Sequence, residues 1–452
     1  MLARDSHIEG RWLYTLSKVA RADERGGRIT MVAVRSARGA SAAAVDRAFR
    51  ALPPRSPDTQ MLVGAVLHVD GRPPKLGTLR DHIAARLPAL PALTSYLPLG
   101  AIRWTASCCP DLAVHVVERT ASGEQENLES VVAELTRTEL PDDAPHWRLW
   151  LLHGHAPGQY ALLFLAHHYL QDAGGLLHTV ESLFGPEIPA EASSAVFHGF
   201  ARRLPTASGY GRCLMMSVRN VRQARKWSVP HCRTTPDRTL HWSRVPTDAL
   251  GSIAATFGGT RNDVYLAAIA QSLAQWLDTM SDTPAPPDLA FAVPANIRRP
   301  EEVNLPGNRT ALTHIRLPAT PLDPAQRMVS TIRATMPLKS PRIRAALRAG
   351  VDHVPMWLAR ATVNTIAGRR RGPVGASFIA LRHRLAFRGS PVTAVYPVMC
   401  APAGTPLAVL SFTYEGYTTV CFRADTGFPG LDRIHHTWRE TIRTWNASPL
   451  RS

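Results

Sequence analysis

Apolar positions along the chain alternate between a period of about two and a period of about 3.6 residues, and the switches mark strands and helices. From Ala42 onward, Val45, Ala48, Phe49 and Leu52 fall at helical spacing. The stretch 61–71, MLVGAVLHVDG, is valine-rich and stops at the turn pair Asp70-Gly71, which predicts a strand. A helix is predicted over 78–90, with Leu79, Ile83, Leu87 and Leu90 on one face. A strand over 112–119 and a helix over 128–140 follow. The segments 147–155 and 159–170 read as paired strands around Ala156-Pro157-Gly158. Strands alternating with helices imply an α/β lobe.

The pattern fails at both flanks of that lobe. Residues 1–40 are polar and aperiodic, so they are expected to be a poorly ordered extension. Residues 186–240 are rich in Pro, Ser, Gly and Arg and read as a crossover. The expected organisation is an extension (1–40), an N-terminal lobe (41–185), a basic crossover (186–240) and a C-terminal lobe (241–452). In the last of these, 261–278 has the strongest helical pattern of the chain, 288–298 is a strand entering a loop, and 406–425 is a hairpin turning at Glu415-Gly416.

A length of 452 residues suits two large lobes. No apolar run approaches the eighteen residues of a spanning helix, and no secretory leader pattern opens the chain, so a cytoplasmic protein is expected. The six cysteines show no ligand spacing and read as reduced apolar residues. Charge changes the picture more: 52 basic residues against 35 acids, of which only Lys18, Lys75, Lys226 and Lys339 are lysines. Between Ala192 and Pro236 there is no acid. Between Lys339 and Arg388 eleven basic residues face one acid, Asp352. Both stretches mix arginine with apolar side chains, which suits an anionic membrane, a lipid droplet or an acidic ligand such as coenzyme A. A solvated arginine face is the plainer alternative. No nucleic-acid-binding signature accompanies the charge, so nucleic acid is not an expected partner.

The densest chemistry lies in LAHHYLQDAGG (165–175), an apolar strand ending in two histidines, then a loop with Asp172, then small residues able to start a helix. A neutral imidazole at such a strand end suits removal of a proton from an alcohol or amine. Adjacent residues of a strand point to opposite sides, so one of His167 and His168 is expected to be internal. Helix-start amides could face a developing oxyanion. A packed strand end without catalysis stays open on these residues alone. No third or fourth ligand at metal spacing joins His153, His155, His167 and His168, so no metal is expected. GxSxG, P-loop and GxGxxG patterns are absent.

HHYLQDAGG resembles the HHxxxDG motif of the coenzyme-A-dependent acyltransferase superfamily, which includes chloramphenicol acetyltransferase and peptide-synthetase condensation domains. The surroundings are similar to one branch, the bacterial wax ester synthase/diacylglycerol acyltransferase family. VDRAFRAL (45–52) with QMLVGAVLHVDG (60–71) is similar to its opening, and DDAPHWRLWLLHG (142–154) to its "PLW" segment. GGTRNDVYLAAIAQSLAQWL (258–277) resembles its Asn-Asp helix, and LPGNRTALTHIRLP (305–318), after FAVPANIRRP (291–300), its "GN" segment. VTAVYPVMCAPAGTPLAVLSFTYEG (392–416) resembles its C-terminal hairpin. The order is the family's from Val45 to near the C-terminus.

The resemblance implies an α/β, two-lobed, chloramphenicol-acetyltransferase-like fold with a tunnel between the lobes. It makes His168 the general base of acyl transfer from acyl-CoA to an alcohol, with no covalent intermediate and no bound cofactor. His167, Asp172 and Gly174 would support the motif, Asp172 by pairing with an arginine of the second lobe. Asn262 and Asp263 would face the substrates, although helix capping explains them equally. Trp147 and His146, in the "PLW" position, would also line the substrate side. Three departures bear on the substrate: Ala173 replaces the motif's first glycine, His146 replaces a leucine, and 376–384 lacks the family's "NVPGP"-like stretch. They admit two rivals: a specialised transferase that takes its acyl or aminoacyl group from CoA or from an acyl or peptidyl carrier protein to make an ester or amide, and a non-catalytic lipid- or partner-binding relative.

Overall fold

The computed structural model describes residues 40–106, 109–121, 127–186, 229, 232–280, 286–367 and 373–447. The expected extension (save Ala40) and most of the basic crossover lie outside the described residues. Strands are numbered along the chain. One six-stranded sheet contains β1 (Leu62–Asp70), β4 (Val116–Thr120), β5 (Trp147–His153), β6 (Gln159–His167), β11 (Ala386–Phe387) and β12 (Ser390–Val398), in the order β11-β12-β1-β6-β5-β4. A second contains β7 (Arg238–Pro246), β8 (Asp288–Asn296), β9 (Thr310–Pro318), β10 (Val374–Ala380), β13 (Leu407–Tyr414) and β14 (Tyr417–Asp425), in the order β7-β14-β13-β10-β8-β9. A two-stranded pair, β2 (Ser95–Tyr96) and β3 (Thr105–Ala106), stands apart. Both large sheets mix parallel and antiparallel neighbours.

Strand β6 shows why the site lies where it does. It runs between β1 and β5, both antiparallel to it, and Tyr160–Ala166 are all buried. Such a strand must be apolar on both faces. Leu162, Phe164 and Ala166 pack with Leu149, Leu151, Ala65 and Leu67. Leu163 and Leu165 point the other way, where Val66, Trp150 and Leu152 meet Leu240 of β7 and Cys421 of β14. The second core therefore joins the two sheets, and β6 delivers its C-terminal histidines at the edge of that joint.

Several elements differ from expectation. Residues 112–115 wind into a helical turn before β4, because the Asp111 side chain caps the Ala113 N–H at 2.8 Å. The helix expected over 128–140 stops at Leu135. The segment 386–398, read from sequence with the second lobe, pairs instead with the first sheet: β12 lies antiparallel to β1, with Gly64 opposite Val398. A chain crossing back in this way ties the two halves together through backbone hydrogen bonds.

Gly64 marks the tightest point of the first sheet. A Cβ there would lie 2.0 Å from the Phe164 carbonyl oxygen and 2.6 Å from Leu165 Cδ2. Gly64→Ala is therefore expected to cost about 1–3 kcal/mol or more in urea unfolding. A melting temperature equal to wild type would show that the strands give way freely.

Candidate active site

At the end of β6 the main-chain N–H of His168 donates to Met61 O at 2.7 Å, closing the sheet. The two histidines then part company. His167 turns toward Tyr169 and His146, with ring centroids 5.0 and 6.0 Å away, and its Nδ1 accepts the Tyr169 N–H at 3.2 Å. Burial holds its pKa well below that of a free imidazole. His168 turns the other way and stacks on Phe49, centroid to centroid 4.9 Å with the planes 18° apart. Its Nδ1 is buried, and the residue as a whole keeps partial exposure. Burial lowers its pKa, while its own carbonyl, the Asp172 charge and Asn308 act in the opposite direction. The ring is thus neutral near pH 7, as a base must be.

Asp172 caps the Ala173–Phe184 helix, accepting the Gly175 N–H at 2.8 Å through Oδ1. The same oxygen receives Arg298 Nη2 at 2.9 Å; Oδ2 receives the Arg309 N–H at 2.6 Å and the Thr310 hydroxyl at 3.0 Å. Burial opposes ionisation of this carboxyl, but Arg298 and the bonds from Gly175 and Arg309 hold its pKa at about 2. Arg298, whose side chain is also almost entirely buried, gives Nη1 to the carbonyls of Glu302 and Leu305 and Nη2 also to that of Gly307. The expected pairing of Asp172 with an arginine from the second half is present. Gly174 and Gly175 leave room for that arginine: a Cβ on Gly175 would lie 3.2 Å from Arg298 Nη2. One expected oxyanion donor is already occupied, because the Gly175 N–H serves the cap.

The segment 305–310 completes the site. Gly307 N–H donates to Leu170 O, and Asn308 Nδ2 reaches the His168 carbonyl at 2.9 Å. His168 therefore stands where the first-half elements around Phe49 and Met61 meet the second-half loop around Asn308.

Other expected residues lie elsewhere. Trp147 is fully buried, donates its indole N–H to Leu93 O at 2.9 Å and stacks on His115; it is a core residue and is not on a substrate surface. The alternation of β5 sends it inward. His146 is also buried, behind His167 and edge-on to Tyr169, and its pKa falls to about 4 through burial and the nearby Arg50. His146 thus packs on the His167 and Tyr169 side of the motif. Asp263 closes a capping box with Thr260 and binds Lys339 Nζ at 2.6 Å and the Thr335 hydroxyl at 2.5 Å. Its carboxylate is engaged by the cap, Lys339 and Thr335, which fits the capping alternative; Asn262 is half-buried beside it. Sequence reading assigned no role to Phe49, Asp46, Arg298, Asn308 or Thr310, although the first two lie in the VDRAF stretch and the others in the FAVPANIR and GNRT stretches. Among the described residues no cluster of three or more His, Cys, Asp or Glu could hold a metal ion.

Comparison with known proteins adds independent information. A model of the wax ester synthase/diacylglycerol acyltransferase catalytic domain matches residues 43–225. A Mycobacterium tuberculosis H37Rv protein named as a diacylglycerol O-acyltransferase is 26% identical over 395 residues, covering 82% of this chain and 83% of that one. In fold, the chain is similar to the wax ester synthase/diacylglycerol acyltransferase from Marinobacter aquaeolei VT8, with a TM-score of 0.62 at 18% identity over 90% of this chain and 98% of the other. It is equally similar to the first condensation domain of the calcium-dependent antibiotic synthetase, with a TM-score of 0.62 at 17% identity over 90% and 95%. The starter condensation domain of rhizomide synthetase, solved with C8-CoA, gives 0.60 at 15% identity over 90% and 94%.

Breaking the Asp172–Arg298 pair tests its weight. Arg298→Ala strands a buried carboxylate and is expected to cost about 3–5 kcal/mol in urea unfolding at pH 7. Asp172 has a folded pKa below its unfolded value, so its stabilisation is complete above about pH 4 and fades as pH falls toward 2. The gap between wild type and variant should narrow over that window. A gap independent of pH would assign the loss to something other than this carboxylate.

Proposed function

We propose that the chain is an acyltransferase of the wax ester synthase/diacylglycerol acyltransferase type, moving an acyl group from acyl-CoA to an alcohol with His168 as general base. The observation that supports this reading is an imidazole that burial keeps neutral, standing where Phe49 and Met61 of the first half meet Asn308 of the second. The acceptor hydroxyl gives its proton to Nε2 while its oxygen attacks the thioester carbonyl. The tetrahedral species collapses by breaking the C–S bond, and the imidazolium returns the proton to the leaving thiolate. No enzyme atom is acylated, so both substrates must be present together and reach His168 by a passage between the halves. No resident cofactor takes part.

A condensation-type transferase, using a CoA or carrier-protein thioester to form an ester or amide, is the second reading. The shared fold with condensation domains favours it. The same base serves either acceptor, because an amine nucleophile also has a proton to lose.

Attachment to a membrane or lipid-droplet surface on the cytoplasmic side belongs to this proposal. Among the described residues no helix is long and apolar enough to cross a membrane. In the second basic stretch, however, Trp357 is 70% exposed, and Arg342, Arg344 and Arg360 are exposed nearby in sequence. An exposed tryptophan among arginines suits the boundary of an anionic bilayer. The first stretch lies almost wholly outside the described residues.

His168→Ala should lower CoA release from palmitoyl-CoA plus hexadecanol by at least about 100-fold, the scale of general-base catalysis, without altering the melting temperature. Retained turnover would contradict the assigned role. Vesicles containing anionic lipid should sediment the protein at low salt, and Trp357→Ala should weaken that binding. Binding insensitive to salt and to lipid charge would remove the electrostatic account.

A further inference from the structure

The Ala44–Arg50 helix places a buried charge beside the base. Asp46, on its first turn, is fully buried. Its Oδ1 accepts two hydrogen bonds from one residue, the Asn308 main-chain N–H at 2.7 Å and Asn308 Nδ2 at 2.9 Å. The same Nδ2 donates to the His168 carbonyl at 2.9 Å. A continuous line thus runs from carboxylate to carboxamide to the peptide carbonyl of the base. One turn along the same helix, Phe49 lies flat on the His168 ring.

The neighbouring backbone is shaped to permit this approach. Gly307 has φ +91°, and a Cβ there would sit 2.4 Å from Asp46 Oδ2. Any larger residue would clash with the carboxylate and strain the turn. The carboxylate itself is costly: burial raises its pKa to about 6, only partly offset by Arg309 and Asn308. An apolar side chain would pack this helix at lower cost, so the charge is explained by what it holds.

We propose that Asp46 and Asn308 are positioning residues for the base: the carboxylate fixes the Asn308 carboxamide, the carboxamide fixes the His168 carbonyl, and that carbonyl keeps the imidazole proton on Nδ1. The inference rests on His168 being the base. Nδ1 is buried, and two groups beside the ring raise its pKa, its own main-chain carbonyl and the Asn308 carboxamide, so Asn308 acts on the ring directly as well as through that carbonyl. With the proton on Nδ1, the lone pair is on Nε2, the nitrogen left to take the acceptor's proton. Without Asn308 the carbonyl is free to swing, the proton can move to Nε2, and that fraction of molecules has no base. Asp172 and His167 are the other titratable groups acting on this ring or acted on by it, and neither changes in the substitutions below.

The test is 15N NMR of histidine-labelled full-length protein at pH 8, with the His168 signal identified by its loss in His168→Ala. Wild type should show a protonated Nδ1 and a bare Nε2. Asn308→Ala and Asp46→Ala should each give a mixture of tautomers, with kcat for palmitoyl-CoA plus hexadecanol reduced on the order of 10–100-fold and KM unchanged. Asp46→Asn, whose amide oxygen can still accept from Asn308, should recover most of the loss. Should an alanine variant unfold, Asn308→Asp, which keeps the size and removes the Nδ2 donors, is read in its place. An unchanged tautomer overturns the proposal, whether activity is normal or falls in step with stability. Turnover retained in His168→Ala would instead remove the reading of the base; an inactive His168→Ala beside a normal Asn308→Ala would remove the positioning role alone.

Discussion

A single buried carboxylate, Asp172, governs the arrangement of everything around the candidate base. It accepts hydrogen bonds from a helix start in the first half and from Arg298, Arg309 and Thr310 in the second, with both of its oxygens engaged. A buried charge tolerates no loose partner, since each unpaired contact carries a desolvation cost. The loop after β6 and the segment 305–310 are therefore locked in one register. Fixing that register places His168 at the junction with Nδ1 buried. The apolar joint between the sheets brings the halves together, and this polar joint sets their registration.

Much of the first half was legible because periodicity and burial coincide there. Strands β1, β5 and β6 follow the expected boundaries within a few residues, and the helix Arg261–Asp278 matches its predicted span. The misreading at 112–115 has a local cause: one Asx cap overrode a valine-rich run that reads as strand. The return of β12 to the first sheet was invisible for another reason. A valine-rich strand names no partner, and pairing with β1 across more than 300 residues of chain is decided by tertiary packing.

At the site, motif reading found the residues whose chemistry is local and missed those whose role depends on a distant segment. His168, Asp172 and Gly174 lie within seven positions of one another, and their spacing carries meaning by itself. Asp46 and Asn308 are 262 residues apart, and neither has a pattern that announces the other. Trp147 and His146 misled because proximity in sequence to the motif was read as proximity to its open face. The side chains of β5 alternate, and the face shared with Trp147 is packed. The arginine that answers Asp172 was anticipated as a type of residue, and only the fold identifies it as Arg298.

The central claim is direct transfer between two substrates bound together, with the imidazole moving a proton and never carrying the acyl group. It is tested most directly by mixing the enzyme with a stoichiometric amount of palmitoyl-CoA and following both thiol release and intact protein mass. Without an acceptor, no burst of free thiol and no palmitoyl adduct should form, and adding hexadecanol should release thiol and ester in equal amounts. A stoichiometric burst accompanied by an acylated protein would contradict the account.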